Sequence, residues 1–382
     1  MSSVKSEGLD KPLTNLRISE LRLLANTIPV QKYGDSPTIK HYTDWSKLLK
    51  IKEAERALRS TKGVLEDILE PSLVLEPEDI VVNSSSSVYV STLKNSGDFI
   101  WKIPVENKLQ AIHSYKWYQG ASIRLSGEQE VSIYLSPGEG YVGYHLEIDI
   151  EPNSRVNITL IVDNSSESSL HSSSTLINVG SNSQVSISTL EKSKGATYHY
   201  KYVRMENNSR VESRILASGG EATRFREDYV LEGSKASTVI RGSSISKVNE
   251  KLDLIINTIH RAPGTISGLK TRGMVSGVST VAHRGVARVY KSAEWSSVDV
   301  ESFLYITTDK ARAYSVPVLE VDTGIVESAR HSTAVMDIPS EIEFYLRQRG
   351  FSKSDIIRLI SIGLLEIVAS DLKLEKLEKI YL

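Results

Sequence analysis

Histidine is the side chain best suited to bind a transition metal or move a proton near neutral pH. The chain holds eight: His41, His113, His145, His171, His199, His260, His283 and His331. No His-Glu-x-x-His motif groups any of them, and neither a Gly-x-Ser-x-Gly elbow nor a Gly-x-x-x-x-Gly-Lys-Ser/Thr loop occurs. Nucleotide hydrolysis through a P-loop of its own is therefore not expected. Cysteine is absent, which removes thiolate nucleophiles, thiolate metal ligands and disulfides together. Taken one at a time the histidines read as structural, because their spacing alone assembles no site.

Carboxylates offer a second chemistry. Cleaving a glycosidic bond takes two of them close together, in a groove that aromatic rings line. Glu227, Asp228 and Asp253 are available, yet nothing pairs them, and the aromatics, 7% of the chain, show no repeated placement. Arg224 and Arg226 stand among Glu221, Glu227 and Asp228, which reads as a solvated face of mixed sign. A formal net charge of −1 leaves nothing to drive phosphate neutralisation, so no nucleic-acid partner is expected.

Positioning any such residue falls to three zones of different texture. Residues 1–72 read as an N-terminal helical domain, with Leu16, Leu21, Leu24 and Ile28 on one helix face and a second helical stretch from about Asp44 to Leu69. Residues 73–330 form the β core: short β-branched runs such as Val156-Asn-Ile-Thr-Leu alternate with Ser, Asn and Gly. A corner tetrapeptide recurs at Asn153-Ser-Arg-Val, Asn182-Ser-Gln-Val, Asn208-Ser-Arg-Val and, more loosely, Gly233-Ser-Lys-Ala, at intervals of 29, 26 and 25 residues. One solenoid coil per repeat is the expectation, with Asn or Gly taking the left-handed backbone angle at the corner. A two-sheet sandwich is the alternative, but about 250 residues is long for one.

Residues 331–382 turn helical again. Ser340-x-x-Glu343 and Ser352-x-x-Asp355 carry the capping-box pattern, and Gly350 between them fits a helix stop. Ile356, Ile360, Leu364 and Ile367 make an apolar stripe. The first of these helices is expected to cap the solenoid's open end, the second to cap it or to meet a partner. No run of about 18 apolar residues exists, so no membrane-crossing helix is expected. Met1-Ser-Ser-Val-Lys-Ser-Glu has no signal-like stretch. With no cysteine either, a cytoplasmic protein is predicted.

The last third carries an ordered set of motifs: Pro317-Val-Leu-Glu-Val-Asp, Glu327-Ser-Ala-Arg-His-Ser-Thr and Ile342-Glu-Phe-Tyr-Leu-Arg-Gln-Arg-Gly-Phe. Together with Asn257-Thr-Ile-His-Arg-Ala-Pro-Gly-Thr-Ile-Ser, Gly273-Met-Val-Ser-Gly and, more loosely, Lys40-His-Tyr-Thr-Asp-Trp, it resembles the SufB/SufD family of iron–sulfur cluster assembly proteins. The resemblance implies a mainly β chain, a right-handed parallel β-helix (solenoid) flanked by N-terminal and C-terminal helical domains. It implies a non-catalytic scaffold subunit with two partners: a SufC-type ABC ATPase, and a SufB-like subunit or a second copy of itself. Carried over, the ATPase-docking residues are Phe344, Tyr345, Leu346, Arg347, Arg349, Gly350, Ile356 and Ile360, although Phe344 and Leu346 also read as core.

Two departures from the SufB pattern point to the SufD type, and a third position departs from the SufD pattern itself. Val321 stands where SufB-type chains carry a scaffold cysteine, Ser332 follows His331 in place of Glu, and Ala329 replaces a cysteine common in SufD-type chains. His331 is left as the candidate metal ligand at the subunit interface, since a neutral imidazole binds iron. No cofactor is expected on the isolated chain, an iron–sulfur cluster only transiently at the interface of the complex, and no membrane partner. A carbohydrate-active β-helix enzyme and a purely structural homodimer are the competing readings.

Overall fold

The computed structural model describes residues 13–30, 45–65, 68, 72–77, 80–82, 88–367 and 374–382. His41, and the motif ahead of Trp45, lie outside them. Two long sheets face each other, one of nine strands and one of ten. Each alternates through the sequence: Ser169–Val179 belongs to the first, Gln184–Ser193 to the second, and Ala196–Met205 returns to the first beside Ser169–Val179. That is a parallel β-solenoid of about 8 turns, as the repeats predict. Between the sheets runs one apolar core, including Ile158, Ile187, Ile240, Leu269 and Val300.

The corners obey the backbone rule inferred for them. Asn153, Asn182 and Asn208 have φ of 61, 61 and 54°. Their side chains also form a ladder: Asn208 Nδ2 donates to Asn182 Oδ1 (3.3 Å) and Asn182 Nδ2 to Asn153 Oδ1 (3.2 Å). The fourth corner is not Gly233. Strand register aligns Ser237 with Arg210, which places the left-handed residue at Lys235, φ 59°. Gly264 (67°) and Trp295 (60°) continue the series, and the intervals become 29, 26, 27, 29 and 31 residues. The tetrapeptide was legible only where Asn marks it; Lys235 and Trp295 hold the same strained angle because the coils on either side impose it.

The N-terminal layer differs from expectation in two places. Ile18–Thr27 is a helix that buries Leu21 and Ala25, but among the described residues the second stretch is helical only over Ser46–Leu49 and Lys50–Lys52. The helix-favouring run after Glu53 instead edges the first coil: Ala57 N donates to Tyr141 O (2.6 Å), Tyr141 N to Glu55 O (2.9 Å) and Thr61 N to Pro137 O (3.0 Å). Tertiary pairing overrides propensity here. A helix inside the β zone, Lys108–Lys116, was not anticipated, although Asn107 and Gln110 form a capping box that signals it.

At the C-terminal end the helices Ser340–Gln348, Lys353–Leu365 and Leu374–Tyr381 do not cap the solenoid. The first buries no residue. The other two fold back onto the outer face of the ten-stranded sheet, where Leu364, Leu365, Leu377 and Tyr381 pack on Leu190, Leu216, Ile245 and Met274. Ser352 and Asp355 form the predicted capping box, and Gly350 takes the left-handed angle (φ 88°) of a helix stop. Ser340 does not cap; Pro339 holds the N-cap position without a side-chain hydrogen bond. The last strand continues through position 331 as far as Asp337.

Replacing Asn208 tests the corner directly. Asn208→Ala forces an alanine into the left-handed region and breaks the ladder, so unfolding free energy from urea titration should fall by about 1–2 kcal/mol. Asn208→Gly, which takes that angle freely, should lose less than half as much.

Candidate functional site

The acidic and basic cluster around residue 226 is not a solvated face. Arg224, Arg226, Glu227 and Asp228 are all buried on the strand Ala222–Leu231. Alternation splits them. Arg226 and Asp228 project outward beneath the N-terminal layer, where Arg226 holds Asp228 through Nε and Nη2 (2.9 and 2.6 Å) and Glu106 through Nη1 (2.6 Å). Tyr200 OH and Asn257 Nδ2 add donors to Asp228 at 2.8 and 2.6 Å. Arg224 lies 3.5 Å over the Trp45 ring. Glu227 points the other way, into the solenoid, and meets Lys201 Nζ at 2.7 Å with both side chains fully buried. Tyr229 OH donates to Glu227 (2.5 Å) and Lys201 Nζ to Thr189 Oγ1 (2.7 Å). Asp253 is buried against Arg284, 3.1 Å away. These carboxylates are therefore paired with cations instead of with one another.

Six of the histidines are buried: His113, His145, His171, His199, His260 and His283. Serines and a threonine hold most of them. His113 bridges Ser172 and Ser174 (2.5 and 2.6 Å), His145 also reaches Ser174 (2.8 Å), and His199 meets Ser173 (2.9 Å). His260 lies between Thr265 and Ser267, both at 2.8 Å, and His283 touches Ser244 at 2.7 Å. Burial pushes the imidazoles of His171 and His283 down to about 3 and that of His260 to about 4, and it lowers His113, His145 and His199 too. The five that meet a hydroxyl are neutral hydrogen-bonding struts, whereas neither ring nitrogen of His171 has a hydrogen-bond partner among the described residues. Among the described residues no group of three or more His, Asp or Glu is placed to hold a metal ion.

His331 is different. Register puts it in the inward column Ile158, Ile187, Ser213, Ile240, Leu269, Val300, a column apolar in every coil but one. Among the described residues its strand, Val326–Asp337, is the last of its sheet and neighbours only Ser296–Ile306, and His331 is exposed. Ala329 occupies the inward position before it, beside Val298, and Ser332 faces out beside Glu301. The other sheet ends likewise on Arg312–Val321, with Val321 37% exposed. Trp295, Ile325 and Val335 add exposed apolar surface at this end.

Beyond it, Phe344 and Tyr345 are exposed (65% and 54%), as are Arg347, Arg349 and Gly350, and Leu346 is half-buried. Arg347 pairs with Glu343 (2.8 Å), and Arg349 lies 4.2 Å over the Tyr345 ring. Ile356 is fully buried and serves the fold, whereas Ile360 is half-buried. Phe344 is thus a surface residue, not core.

A single-chain parallel β-solenoid whose final coil lacks a neighbour is the class of protein these features define. The chain belongs to the SufBD core family of SUF-system iron–sulfur cluster assembly proteins, whose profile matches residues 134–364. It is similar to an iron–sulfur cluster assembly SufBD family protein of Staphylococcus epidermidis, 24% identical over 289 residues, 71% of this chain and 60% of that protein. The iron–sulfur cluster assembly protein SufB of Bacillus subtilis is 23% identical over the same shares. The chain thus spans 60% of the length of these relatives.

Two outcomes follow for stability. The folded imidazoles titrate below the unfolded value near 6.5, so the unfolded chain binds more protons as pH falls below it. Their contribution is complete above about pH 6.5 and is lost towards pH 4, by about 1.4 kcal/mol per pH unit for each histidine. Glu191, whose carboxyl burial raises to about 8, acts oppositely, its contribution being lost as pH rises from about 4.5 to 8. Urea midpoints should fall steeply between pH 6.5 and 4.5, and His283→Gln should flatten that slope. Separately, Lys201→Met strands Glu227 and should cost about 3–5 kcal/mol, while Lys201→Met with Glu227→Leu should recover most of it.

Proposed function

We propose that this chain is a SufD-like, non-catalytic scaffold subunit of the SUF iron–sulfur cluster assembly complex. It pairs through the open end of its solenoid with a SufB-like chain or a second copy of itself. The observation that carries this reading is the uncapped last coil. Arg312–Val321 and Val326–Asp337 each have one strand neighbour, and backbone groups along an unpaired strand edge invite another chain. His331 stands at that edge in a column otherwise nearly all apolar, a substitution the solenoid's own packing does not call for. A neutral imidazole there would supply one ligand to iron, with the remaining ligands from the partner. The cluster is cargo at the joint interface and no resident cofactor of this chain.

The exposed helix Ser340–Gln348 is the docking element for the SufC-type ATPase. Phe344 and Tyr345 supply apolar anchors, with Arg347 and Arg349 at the rim. Val321 and Ser332 support the SufD-like assignment over SufB, whereas Ala329 departs from the SufD pattern. Among the described residues no helix is long and apolar enough to cross a membrane, which accords with the cytoplasmic setting proposed for this complex. The sugar-cleaving alternative is disfavoured, since Glu227, Asp228 and Asp253 are buried against Lys201, Arg226 and Arg284.

Co-purification with the organism's own SufC-type ATPase and SufB-like chain tests both surfaces. The full chain should retain the ATPase and Phe344→Asp/Tyr345→Asp should release it, while His331→Ala should leave both partners bound but lower the iron recovered with the complex. Failure of the full chain to bind either protein would overturn the scaffold reading and leave the structural homodimer. Iron–sulfur absorbance reconstituted on the chain alone would contradict the cargo assignment.

A further inference from the structure

The corner that leads into the ten-stranded sheet changes character at the solenoid's open end. Through five successive coils it holds Asn153, Asn182, Asn208, Lys235 and Gly264 at the left-handed angle, each polar or without a side chain. Trp295 comes next, with φ 60°, and the last corner brings Ile325, whose carbonyl accepts from Trp295 N at 2.9 Å. Ile325 is exposed, and so is Ile266, the first residue of the strand Ile266–Val275 at the same corner.

The fold does not call for tryptophan there. A Cβ crowds the backbone in the left-handed region, so Asn or Gly is the favoured occupant. Trp295 takes on that strain and regains little by burial, since 65% of it is exposed. The other tryptophans, Trp45, Trp101 and Trp117, are all buried. Strain and exposed apolar area on one residue mark a point of contact with another molecule.

The same edge strand supplies the counterpart. Val326–Asp337 begins at this corner, and at its far end Val335 is exposed, as is Ile342 just beyond. A two-fold axis normal to the two facing sheets lets both open edges meet their copies at once, and it sets the paired strands antiparallel, start against end. Each apolar corner of one protomer then lies beside the apolar strand end of its partner, and the contact is made twice.

We infer that Trp295 and Ile325 form an anchor that seats against Val335 and Ile342 of a second copy of this chain. The inference rests on the open-end pairing proposed above and commits it to self-association. Tryptophan is enriched among the few residues that carry most of an interface's binding energy.

Light scattering of the purified full-length chain across a dilution series tests this, with acrylamide quenching of tryptophan fluorescence read on the same samples. Because Trp45, Trp101 and Trp117 are buried, quenching reports Trp295. Quenching should fall as dimer forms. Trp295→Asn restores the residue of earlier coils; it should weaken the dimer about tenfold while leaving the urea midpoint of the dilute monomer unchanged or higher. A merely structural tryptophan would lower that midpoint. Leu23→Asn, which removes an exposed apolar residue from the helix Ile18–Thr27, should leave the dimer as it is. A dimer in which Trp295 stays fully quenchable, or which Trp295→Asn does not weaken, would overturn the anchor and leave the pairing standing. A chain that stays monomeric yet binds a SufB-like protein would overturn the inference too, again without touching the scaffold assignment. If it bound neither itself nor a SufB-like protein, the proposed pairing would fall with it.

Discussion

In a parallel solenoid each coil completes its backbone hydrogen bonds only with the coil before and the coil after it. Everything else in this molecule follows from that constraint. Residues stack in register over many coils, so a side chain's neighbours are set by its column, however far apart they lie in sequence. His331 falls in line with Ile158 across seven strands of one sheet. The N-terminal end escapes the constraint by switching to antiparallel pairing, with Tyr89–Leu93 against Gln119–Leu125 and Leu73–Leu75 against Ile80–Val82. Among the described residues the other end has no such device. Helices that could have covered it instead pack on a flank, which leaves an edge suited to a second chain.

Polar residues inside the coils show how far the same constraint reaches. A column position does not leave the interior when its residue is charged, so Lys201 and Glu227 are held together where neither can reach water. Their hydrogen bonds to Thr189 and Tyr229 satisfy what the ion pair leaves open. Serine columns do the same for histidine: Ser172, Ser173 and Ser174 serve rings from three other segments. The richness in serine, which looks from the sequence like turn and loop composition, is in these strands an internal hydrogen-bonding lattice.

Function then concentrates where stacking stops. The outward faces fall into three kinds of surface: one sealed by the N-terminal layer, one sealed by Lys353–Leu365 and Leu374–Tyr381, and the bare strip bearing Arg241 and Lys270. The open end and the helix Ser340–Gln348 are continuous in sequence, joined through Pro339. A partner on the helix and a partner on the edge strands would therefore act on neighbouring segments of one chain.

By itself the sequence determined the solenoid. The Asn corners recur because the left-handed angle recurs, and that angle is a local property that Asn advertises at 153, 182 and 208. It also determined the capping box at Ser352 and the ordered motifs of the last third. What it left open was whatever depends on which coil lies beside which. Lys235 and Trp295 take the corner angle without a corner residue's signature, because neighbouring coils enforce it. The run after Glu53 has helix propensity yet pairs with Tyr141. Arg224 to Asp228 reads as a surface until the N-terminal layer is laid over one side and the core over the other. Tertiary structure decided these cases because burial and cross-coil pairing belong to contacts between distant segments, and no local window of sequence contains them.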